Sequence, residues 1–304
     1  MPTGDETSQP VAGYFAGGND DSTANLSGID KITFSADTKS TLTATLTSAR
    51  ARPAGMANSG VAGYFGGGYD SAKVSGIDKI TFPADTKSTL SATLTSARDS
   101  LAAMANSGTA GYFGGGNDGA NISGIDKITF SADTKSTLSA TLTSARYGLS
   151  GMANSGTAGY FGGGSDSGGR VSGIDKITFS ADTKSTLTAT LTSARIRLAA
   201  MANSGTAGYF AGGYDGAYVS GIDKITFSAD TKSTLAATLT SARDSLAGMA
   251  NSGTAGYFGG GTDGNIALAN IDKITFSSDS KSTLSATLTS ARFNFTAMAD
   301  SGIL

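Results

Sequence analysis

The sequence predicts an all-β protein, a six-bladed β-propeller with four-stranded blades, and three observations support this prediction. One unit of 48 to 50 residues recurs six times and occupies almost the whole chain. Within each unit, apolar and polar residues alternate with the period of strands, and no segment has helical periodicity. The first unit opens on an aromatic strand and the last ends on a small-residue strand, so each end supplies what the other lacks. A C-terminal strand that completes the first blade would close the ring and remove two exposed sheet edges.

Two motifs mark the copies of the repeat, Gly-Tyr-Phe near the start and Thr-Ser-Ala-Arg near the end. Four short strands in a unit of this length match a propeller blade better than an open solenoid, which needs distinct polar caps. The tyrosines of the first motif are Tyr14, Tyr64, Tyr112, Tyr160, Tyr209 and Tyr257. The arginines of the second motif are Arg50, Arg98, Arg146, Arg195, Arg243 and Arg292.

The third copy illustrates the strands expected in each blade. An aromatic strand at 109–116 ends in three glycines, and a second strand follows at 125–130. Residues 137–143 alternate apolar with hydroxyl side chains and predict a third strand, and a small-residue strand is expected at 149–154. Because strand side chains alternate, the adjacent Tyr and Phe of the aromatic strand should face opposite sides of the blade, in the core between blades.

The repeat boundaries predict one domain preceded by a short extension. Residues 1–10 form the extension, and residues 11–304 form a single propeller. The first blade comprises residues 11–49 and is completed by residues 293–304. The later blades are expected at approximately 50–98, 99–146, 147–195, 196–243 and 244–292.

The unit resembles the kelch repeat of six- and seven-bladed propellers over almost the whole chain. The resemblance rests on an aromatic strand that runs into glycines at 64–68, a strand that ends in an aromatic residue at 77–82, and Arg98 before the innermost strand. The tryptophan of kelch repeats is missing, since the chain contains none. The strings AGYFGGG, DKITF and TSAR also resemble kelch-like repeats in tail and other virion proteins of marine bacteriophages, especially those that infect cyanobacteria. This second resemblance implies a virion protein assembled in the host cytoplasm, with other virion proteins or further copies of itself as partners.

Differences between the copies gather in two places, after the glycines of the aromatic strand and after the repeated arginine. In an up-and-down blade, the loops that follow these two points emerge on the same face. Variation on one face of a repeat scaffold is typical of a binding surface, although loops also vary where change is merely tolerated. Tyr and Arg are favoured at recognition hot spots. The residues expected to contact a ligand or partner are Tyr69, Lys73, Tyr147, Arg170, Arg197, Tyr214, Tyr218 and Phe293, with Arg52 in the same variable set.

The six repeated arginines admit two roles. Each either hydrogen-bonds loop carbonyls or a neighbouring loop aspartate and holds adjacent blades together, or joins a ring at the channel mouth that attracts an anion. We expect the structural role. The lysine of each Asp-Lys-Ile motif, such as Lys31, is expected to occupy a solvated strand position.

Composition argues against most catalytic, metal and cofactor chemistry. The net charge is −2, and its 22 basic and 24 acidic residues offer no basic stripe for nucleic acid. The chain has no cysteine and no histidine, the usual thiolate and imidazole ligands and bases. No apolar run approaches the ~20 residues of a membrane span, and no secretory signal is visible. We therefore expect no catalytic residue, metal site or cofactor, and neither nucleic-acid binding nor membrane insertion.

These observations predict a non-enzymatic binding or structural propeller that recognises a host-surface glycan or protein through its variable face. A purely structural virion assembly protein is the first alternative. An enzyme that degrades polysaccharide is the second. A sialidase-like site needs a glutamate base, and Glu6, the one glutamate of the chain, lies outside the repeats.

Overall fold

The polypeptide forms a closed ring of six blades, each an antiparallel sheet of four strands. A computed structural model describes residues 11–82 and 84–300 of the chain. Within these residues the regular backbone is in strands and turns, and no helix occurs. The prediction of an all-β, six-bladed propeller is confirmed. The predicted extension, 1–10, and the last part of the closing segment, 301–304, lie outside the described residues.

The strands recur in chain order with nearly equal lengths. Blade 1 contains β1 (Ala12–Ala16), β2 (Ile29–Thr33) and β3 (Thr38–Thr41). Blade 2 contains β4 (Ala54–Asn58), β5 (Ala62–Gly66), β6 (Ile77–Thr81) and β7 (Thr86–Thr89). Blade 3 contains β8 (Ala102–Asn106), β9 (Ala110–Gly114), β10 (Ile125–Thr129) and β11 (Thr134–Thr137). Blade 4 contains β12 (Ser150–Asn154), β13 (Ala158–Gly162), a two-residue hairpin of β14 (Ser165–Asp166) and β15 (Gly169–Arg170), β16 (Ile174–Thr178) and β17 (Thr183–Thr186). Blade 5 contains β18 (Ala199–Asn203), β19 (Ala207–Ala211), β20 (Ile222–Thr226) and β21 (Thr231–Thr234). Blade 6 contains β22 (Ala247–Asn251), β23 (Ala255–Gly259), β24 (Ile271–Thr275) and β25 (Ser280–Thr283), after which β26 (Thr296–Asp300) returns to blade 1.

Strand β26 closes the ring. It pairs antiparallel with β1 so that Tyr14 lies opposite Met298, the register in which Tyr64 lies opposite Met56 in blade 2. Each of the six inner strands (β4, β8, β12, β18, β22 and β26) contacts the inner strands of the two neighbouring blades. The predicted closure is therefore confirmed, and blade 1 has the same four strands as the others.

The outermost strand lies earlier in the sequence than predicted. In blade 3 it spans Thr134–Thr137, so the predicted third strand at 137–143 is wrong. The preceding turn reverses the chain early because Asp133 adopts a φ of 51°. Residues 138–149 then leave the blade as a crossover segment, and their leucines are buried at the junction with blade 4. The alternation that predicted a strand reflects burial of one side of this irregular segment.

The hydrophobic core consists of six clusters, one at each junction between neighbouring blades. As the alternation predicts, Tyr112 packs toward blade 4 and Phe113 toward blade 2. The tyrosine of each aromatic strand also stacks on a phenylalanine of the next blade, with ring centroids 5.1–5.4 Å apart. Gly111 leaves the space that Met56 fills, since a Cβ there would lie 2.2 Å from the methionine sulfur. Packing between blades therefore holds the ring together.

A buried ion pair fixes each crossover segment to the blade that it enters. Arg50 and Asp78 are 2% and 1% exposed, and Arg50 Nη2 donates to Asp78 Oδ2 at 3.0 Å and to the Phe65 carbonyl at 3.0 Å. Thr47 donates its N–H and its hydroxyl to the two carboxylate oxygens of Asp78, at 3.0 and 2.5 Å. The Thr89 hydroxyl adds a contact of 2.9 Å, so both oxygens of this buried carboxylate are hydrogen-bonded.

The same buried arginine–aspartate ion pair, which we term the joint, occurs six times. One copy closes the ring. The other pairs are Arg98–Asp126, Arg146–Asp175, Arg195–Asp223, Arg243–Asp272 and Arg292–Asp30. In the last pair, Arg292 reaches Asp30 in blade 1 at 2.8 Å. Each arginine contacts an aspartate of a strand, where a loop aspartate was expected. The expected contact with loop carbonyls occurs at Arg292, which donates to the carbonyls of Gly17 and Gly28 at 3.5 and 3.4 Å. Their burial also keeps them from forming an exposed ring that could attract an anion at the channel mouth.

The environment of Asp78 keeps its carboxylate ionised. Burial alone would raise its pKa, but hydrogen bonds from Thr47, the charge of Arg50 and the hydroxyl of Thr89 together lower the pKa below its usual value. A lowered folded-state pKa contributes stability that is fully present above the unfolded pKa of about 3.9. That contribution is lost as the pH falls through the folded pKa.

A second, more exposed joint also links neighbouring blades. The Tyr14 hydroxyl donates to Asp85 Oδ1 at 2.8 Å, and Lys31 Nζ lies 2.7 Å from Asp85 Oδ2. The Lys31 side chain is only 17% exposed, and its ammonium lies 5.4 Å from the Tyr14 ring centroid. The prediction that this lysine is solvated is wrong, because the next blade places an aspartate opposite it.

Replacing Asp78 with alanine should destabilise the fold by about 3–5 kcal/mol, because the Arg50 guanidinium stays buried without its partner. Lys79→Ala is the matched control, since its ion pair with Asp133 is 20% and 31% exposed and should contribute about 1 kcal/mol or less. Urea unfolding followed by circular dichroism measures both changes. Equal losses in the two variants would show that the buried joint has no special role.

Candidate binding site at the mouth of the axial channel

The two variable segments of each blade meet at one end of that blade. In blade 2, Ala51 pairs with Tyr69 through an antiparallel backbone bridge. The equivalent bridges join Asp99 to Asn117, Tyr147 to Ser165, Ile196 to Tyr214, Asp244 to Thr262 and Phe293 to Asn19. The constant loops lie at the other end, since successive antiparallel strands reverse direction. The prediction that the variable segments share one face is confirmed.

A closed ring of six backbone hydrogen bonds surrounds the axis at this end. Each N–H donor belongs to the second residue after a repeated arginine, and the acceptor is the equivalent carbonyl of the preceding blade, at 2.5–3.2 Å. The ring runs through Arg52, Ser100, Gly148, Arg197, Ser245 and Asn294. It closes because the Arg52 N–H donates to the Asn294 carbonyl. We term the six two-residue segments 51–52, 99–100, 147–148, 196–197, 244–245 and 293–294 the collar.

The collar holds its backbone in one conformation while its side chains differ. The second residue of each segment has a φ between 54° and 64°, in the left-handed region. For a residue other than glycine this conformation costs roughly 1–2 kcal/mol, and the added hydrogen bond offsets about 1 kcal/mol of it. Position 148 requires glycine for a further reason, because a Cβ there would lie 2.4 Å from Ile196 Cγ1.

A cavity of about 760 Å³ lies above the collar and is lined by residues from all six blades; we term it the mouth cavity. Its volume falls in the range of about 300–1,000 Å³ that is usual for ligand pockets. A smaller cavity of about 110 Å³ lies among the inner strands. The apolar residues that line both cavities form a floor between them: Pro53, Leu101, Leu149, Leu198, Leu246 and Phe295.

Five of the eight residues predicted to contact a ligand or partner line the mouth cavity. They are Tyr69, Lys73, Tyr147, Arg197 and Phe293. Arg52, from the same variable set, also lines it. The structure therefore brings together residues that are far apart in the chain, such as Tyr69 and Phe293, which are separated by 224 positions.

The other three predicted residues form a separate cluster, the rim cluster, on the outer loops of blades 4 and 5. The guanidinium carbon of Arg170 lies 4.9 Å from the Tyr214 ring centroid, and the Tyr214 and Tyr218 rings meet edge to face at 5.3 Å. Tyr218 in turn covers Gly264 of blade 6, where a Cβ would lie 2.5 Å from its ring. These side chains contact one another and do not line the mouth cavity.

Sequence reasoning missed several polar residues of the mouth cavity, chiefly Asp99, Ser100, Ser245 and Asn294. A signal for them was present, because the collar order repeats after three blades. It reads aliphatic–Arg, then Asp–Ser, then aromatic–Gly or aromatic–Asn. The matching segments are Ala51-Arg52 with Ile196-Arg197, Asp99-Ser100 with Asp244-Ser245, and Tyr147-Gly148 with Phe293-Asn294.

Two ion pairs place charged groups at the mouth cavity. Arg52 Nη1 lies 3.2 Å from Asp99 Oδ2, and Arg197 Nη1 lies 3.4 Å from Asp244 Oδ2. The arginine side chains are 41% and 49% exposed, whereas their aspartates are 7% and 3% exposed. Because a guanidinium carries five N–H donors, one contact to an aspartate leaves others directed away from it. The mouth thus offers hydrogen-bond donors whose charge is already compensated.

Contacts between loops of adjacent blades preform the wall of the mouth cavity. The Lys73 ammonium donates to the amide oxygen of Asn117 in blade 3. The Asn25 amide donates to the carbonyls of Tyr69 and Asp70 in blade 2, at 3.1 and 2.8 Å. These hydrogen bonds hold the lining side chains in place before any ligand binds.

The lining groups of the mouth cavity, which are guanidinium, carboxylate, hydroxyl, amide and aromatic ring, are suited to binding by hydrogen bonds and ring contacts. Across residues 11–82 and 84–300, no three or more His, Cys, Asp or Glu side chains are grouped to hold a metal ion. In the same part of the chain, no helix has the length and apolar character needed to cross a membrane.

No protein-family model and no curated protein sequence matches this chain. The structure shows the fold of the protein, a ring of six four-stranded antiparallel blades.

Replacing Asp244 with asparagine should stabilise the protein at neutral pH. Burial raises the pKa of Asp244 more than the charge of Arg197 lowers it, and its Oδ1 has no hydrogen-bond partner among the described residues. A raised carboxyl pKa means that ionisation weakens the fold as the pH rises from about 4 through the folded pKa. The gain should therefore be large at pH 7 and vanish below about pH 4, as measured by urea unfolding at each pH.

Asp263→Asn is the control, because it should change the stability in the opposite direction. Backbone N–H groups of Asn265 and Ile266 donate to this exposed carboxylate and lower its pKa. Its stabilising contribution is present at neutral pH and is lost in acid, so this variant should lose stability at pH 7. The same direction of change in both variants at pH 7 would contradict the assignment for Asp244.

Proposed function

We propose that the protein is a non-enzymatic recognition module that binds its ligand in the mouth cavity. The observation that carries this proposal is the separation of constant from variable residues. The buried joints and the aromatic core recur in every blade, whereas ten of the twelve collar residues, which differ between blades, line one cavity. A fixed backbone ring that presents varied side chains is suited to recognition on a repeat scaffold.

We further propose that the chain is a kelch-like virion protein of a bacteriophage, in a tail fibre or a related appendage, assembled in the host cytoplasm. Support for this comes from the strings AGYFGGG, DKITF and TSAR, which resemble kelch-like virion repeats. In this setting the mouth cavity would bind a glycan or a protein of the host surface. The constant face would contact other virion proteins or further copies of the chain.

The proposal includes no catalytic step. Asp99 and Asp244, the carboxylates of the collar, are each buried and paired with an arginine. Glycoside hydrolysis requires one carboxylic acid that protonates the leaving group and one carboxylate that acts on the sugar or on water. We infer that aspartates held in this way do not take these roles. Release of oligosaccharide from host polysaccharide by the purified protein would overturn this part of the proposal.

A purely structural role in assembly is the second candidate, and the constant face favours it. There the Ser59 N–H donates to the Ser107 hydroxyl at 3.0 Å, and the Ser107 N–H donates to the Ser155 hydroxyl at 2.9 Å. The Gly108 N–H donates to Asn58 Oδ1 at 2.7 Å. The face therefore presents nearly the same hydrogen-bonded loop in successive blades, which suits a partner built from repeated subunits.

A Tyr69→Ala/Tyr147→Ala variant should bind intact marine cyanobacterial cells at least about tenfold more weakly than the parent protein, since aromatic hot spots each contribute about 2 kcal/mol or more. Labelled protein in flow cytometry measures the binding, and a printed glycan array provides a second readout. Ala132→Lys is the control, because Ala132 is exposed in a turn of the constant face. It should bind like the parent. Loss of binding in the control alone, or no binding by the parent, would favour the structural role.

A further inference from the structure

We propose that the mouth cavity binds one extended, uncharged oligosaccharide through two equivalent half-sites that face each other across the propeller axis. This inference rests on the proposed recognition function and specifies its ligand class. Half-site A consists of Arg52, Asp99, Ser100 and Tyr147 in blades 2, 3 and 4. Half-site B consists of Arg197, Asp244, Ser245 and Phe293 in blades 5, 6 and 1.

The two half-sites are related by half a turn, because three blades are half of a ring of six. The correspondence between blades that lie three apart extends below the collar, to the first residue of each inner strand. This residue carries a hydroxyl in blades 4 and 1, at Ser150 and Thr296. It is alanine in the other four blades: Ala54, Ala102, Ala199 and Ala247.

The correspondence between the two half-sites does not arise from a repeated block of three whole blades. The second residue of the inner strand alternates between glycine and alanine around the ring: Gly55, Ala103, Gly151, Ala200, Gly248 and Ala297. A repeated block of three blades would place the same residue at 55 and 200, where the chain has glycine and alanine. This alternation follows packing, since a Cβ on Gly151 would lie 2.5 Å from the Ala103 carbonyl oxygen. The three-blade period therefore belongs to the residues near the mouth cavity.

The charges of the two half-sites indicate an uncharged ligand. Each exposed guanidinium is compensated by a buried aspartate of the next blade, at 3.2 Å in half-site A and 3.4 Å in half-site B. Lys73 and Asp70, which also line the cavity, carry opposite charges. When Asp244, which lies behind Arg197, is counted with the lining residues, three positive charges face three negative ones, so a polyanion would find no excess positive charge there. Guanidinium donors beside hydroxyl and amide groups instead match sugar hydroxyls, which both donate and accept hydrogen bonds.

The aromatic residues of the half-sites supply the apolar contact that a sugar ring needs. Tyr147 and Phe293 are half-buried at equivalent collar positions and line the mouth cavity. One carries a hydroxyl and the other does not, so their common feature is the ring face. An aromatic face packs against apolar C–H groups with a large contact area and little loss of side-chain entropy.

One ligand must span the axis to use both half-sites, because the mouth cavity is continuous and is lined from all six blades. The loops outside the collar differ between the two sides. Tyr69 is 40% exposed and open, whereas its counterpart Tyr214 is covered by Arg170 and Tyr218. We infer that an unbranched chain leaves the cavity past Tyr69.

Calorimetric titration of the full chain with uncharged hexasaccharides of glucose, mannose and galactose tests the ligand class and the stoichiometry. Hexagalacturonate serves as the acidic comparison. We expect one uncharged hexasaccharide to bind per chain, and to bind more tightly than hexagalacturonate. Binding of the acidic ligand alone would overturn the uncharged class, and two hexasaccharides per chain would overturn the spanning arrangement.

Matched variants test the equivalence of the half-sites. Arg52→Ala and Arg197→Ala should weaken binding to the same extent, about tenfold each, and by about a hundredfold together, because distant sites add in free energy. Tyr147→Ala and Phe293→Ala should form a second matched pair. Tyr147→Phe and Phe293→Tyr should keep the parent affinity, and a cooperative urea unfolding transition confirms that each variant is folded. Losses confined to one half-site would overturn the two-fold arrangement.

Treatment of the host cells separates failure of this inference from failure of the proposed function. Periodate destroys vicinal diols of surface glycans, whereas protease removes surface proteins. Binding that is lost after periodate and survives protease supports the saccharide. Binding that depends on the mouth cavity but survives periodate and is lost after protease would overturn the saccharide and leave the recognition function standing. If neither cells nor saccharides bound the parent protein, the recognition function itself would be contradicted.

Discussion

The buried arginine–aspartate joint is the interaction on which the rest of the structure depends. The backbone of Arg98 is held by blade 2, since it accepts a hydrogen bond from the Gly68 N–H at 2.9 Å and donates to the Val74 carbonyl at 3.2 Å. Its side chain is held by blade 3, through Asp126 at 3.0 Å. One residue therefore binds two blades, and the pair is stable in a buried place because other donors complete the carboxylate. In the last copy, Arg292 uses the same contacts to join blade 6 to blade 1.

This joint also positions the candidate site. The collar begins at the residue that follows each joint arginine, so a fixed guanidinium determines where the next two side chains emerge. The ring of six backbone hydrogen bonds then holds these residues in one conformation, whatever their side chains. Asp99 and Tyr147 occupy equivalent backbone positions and differ only in the chemistry that they bring to the cavity. In a scaffold of this kind, the joints that hold the blades together are separate from the residues that vary at the cavity.

Much of the fold and part of the site could be predicted from the sequence. Tyr112 and Phe113 were expected on opposite sides of a blade, and the period of two in strands is sufficient for that prediction. The outer strand was placed too late, because the crossover leucines alternate like a strand while the tight turn at Asp133 reverses the chain earlier. Lys31 was expected in solvent because its partner Asp85 lies 54 positions away, and only the packing of neighbouring blades brings the two side chains together. Asp99 was overlooked for the same reason, since its contact with Arg52 crosses from one blade to the next.

The sequence by itself determined the number of blades, the alternation that builds their strands, and the grouping of variable residues on one face. These properties are local or periodic, so neighbouring residues and the repeat length are sufficient to specify them. Only the tertiary structure decided which variable residues meet. Tyr69, Tyr147 and Phe293 line one cavity, whereas Arg170, Tyr214 and Tyr218 pack on one another at the rim. This distinction depends on the distance of each side chain from the axis and on contacts between blades. Both arise only when the ring closes.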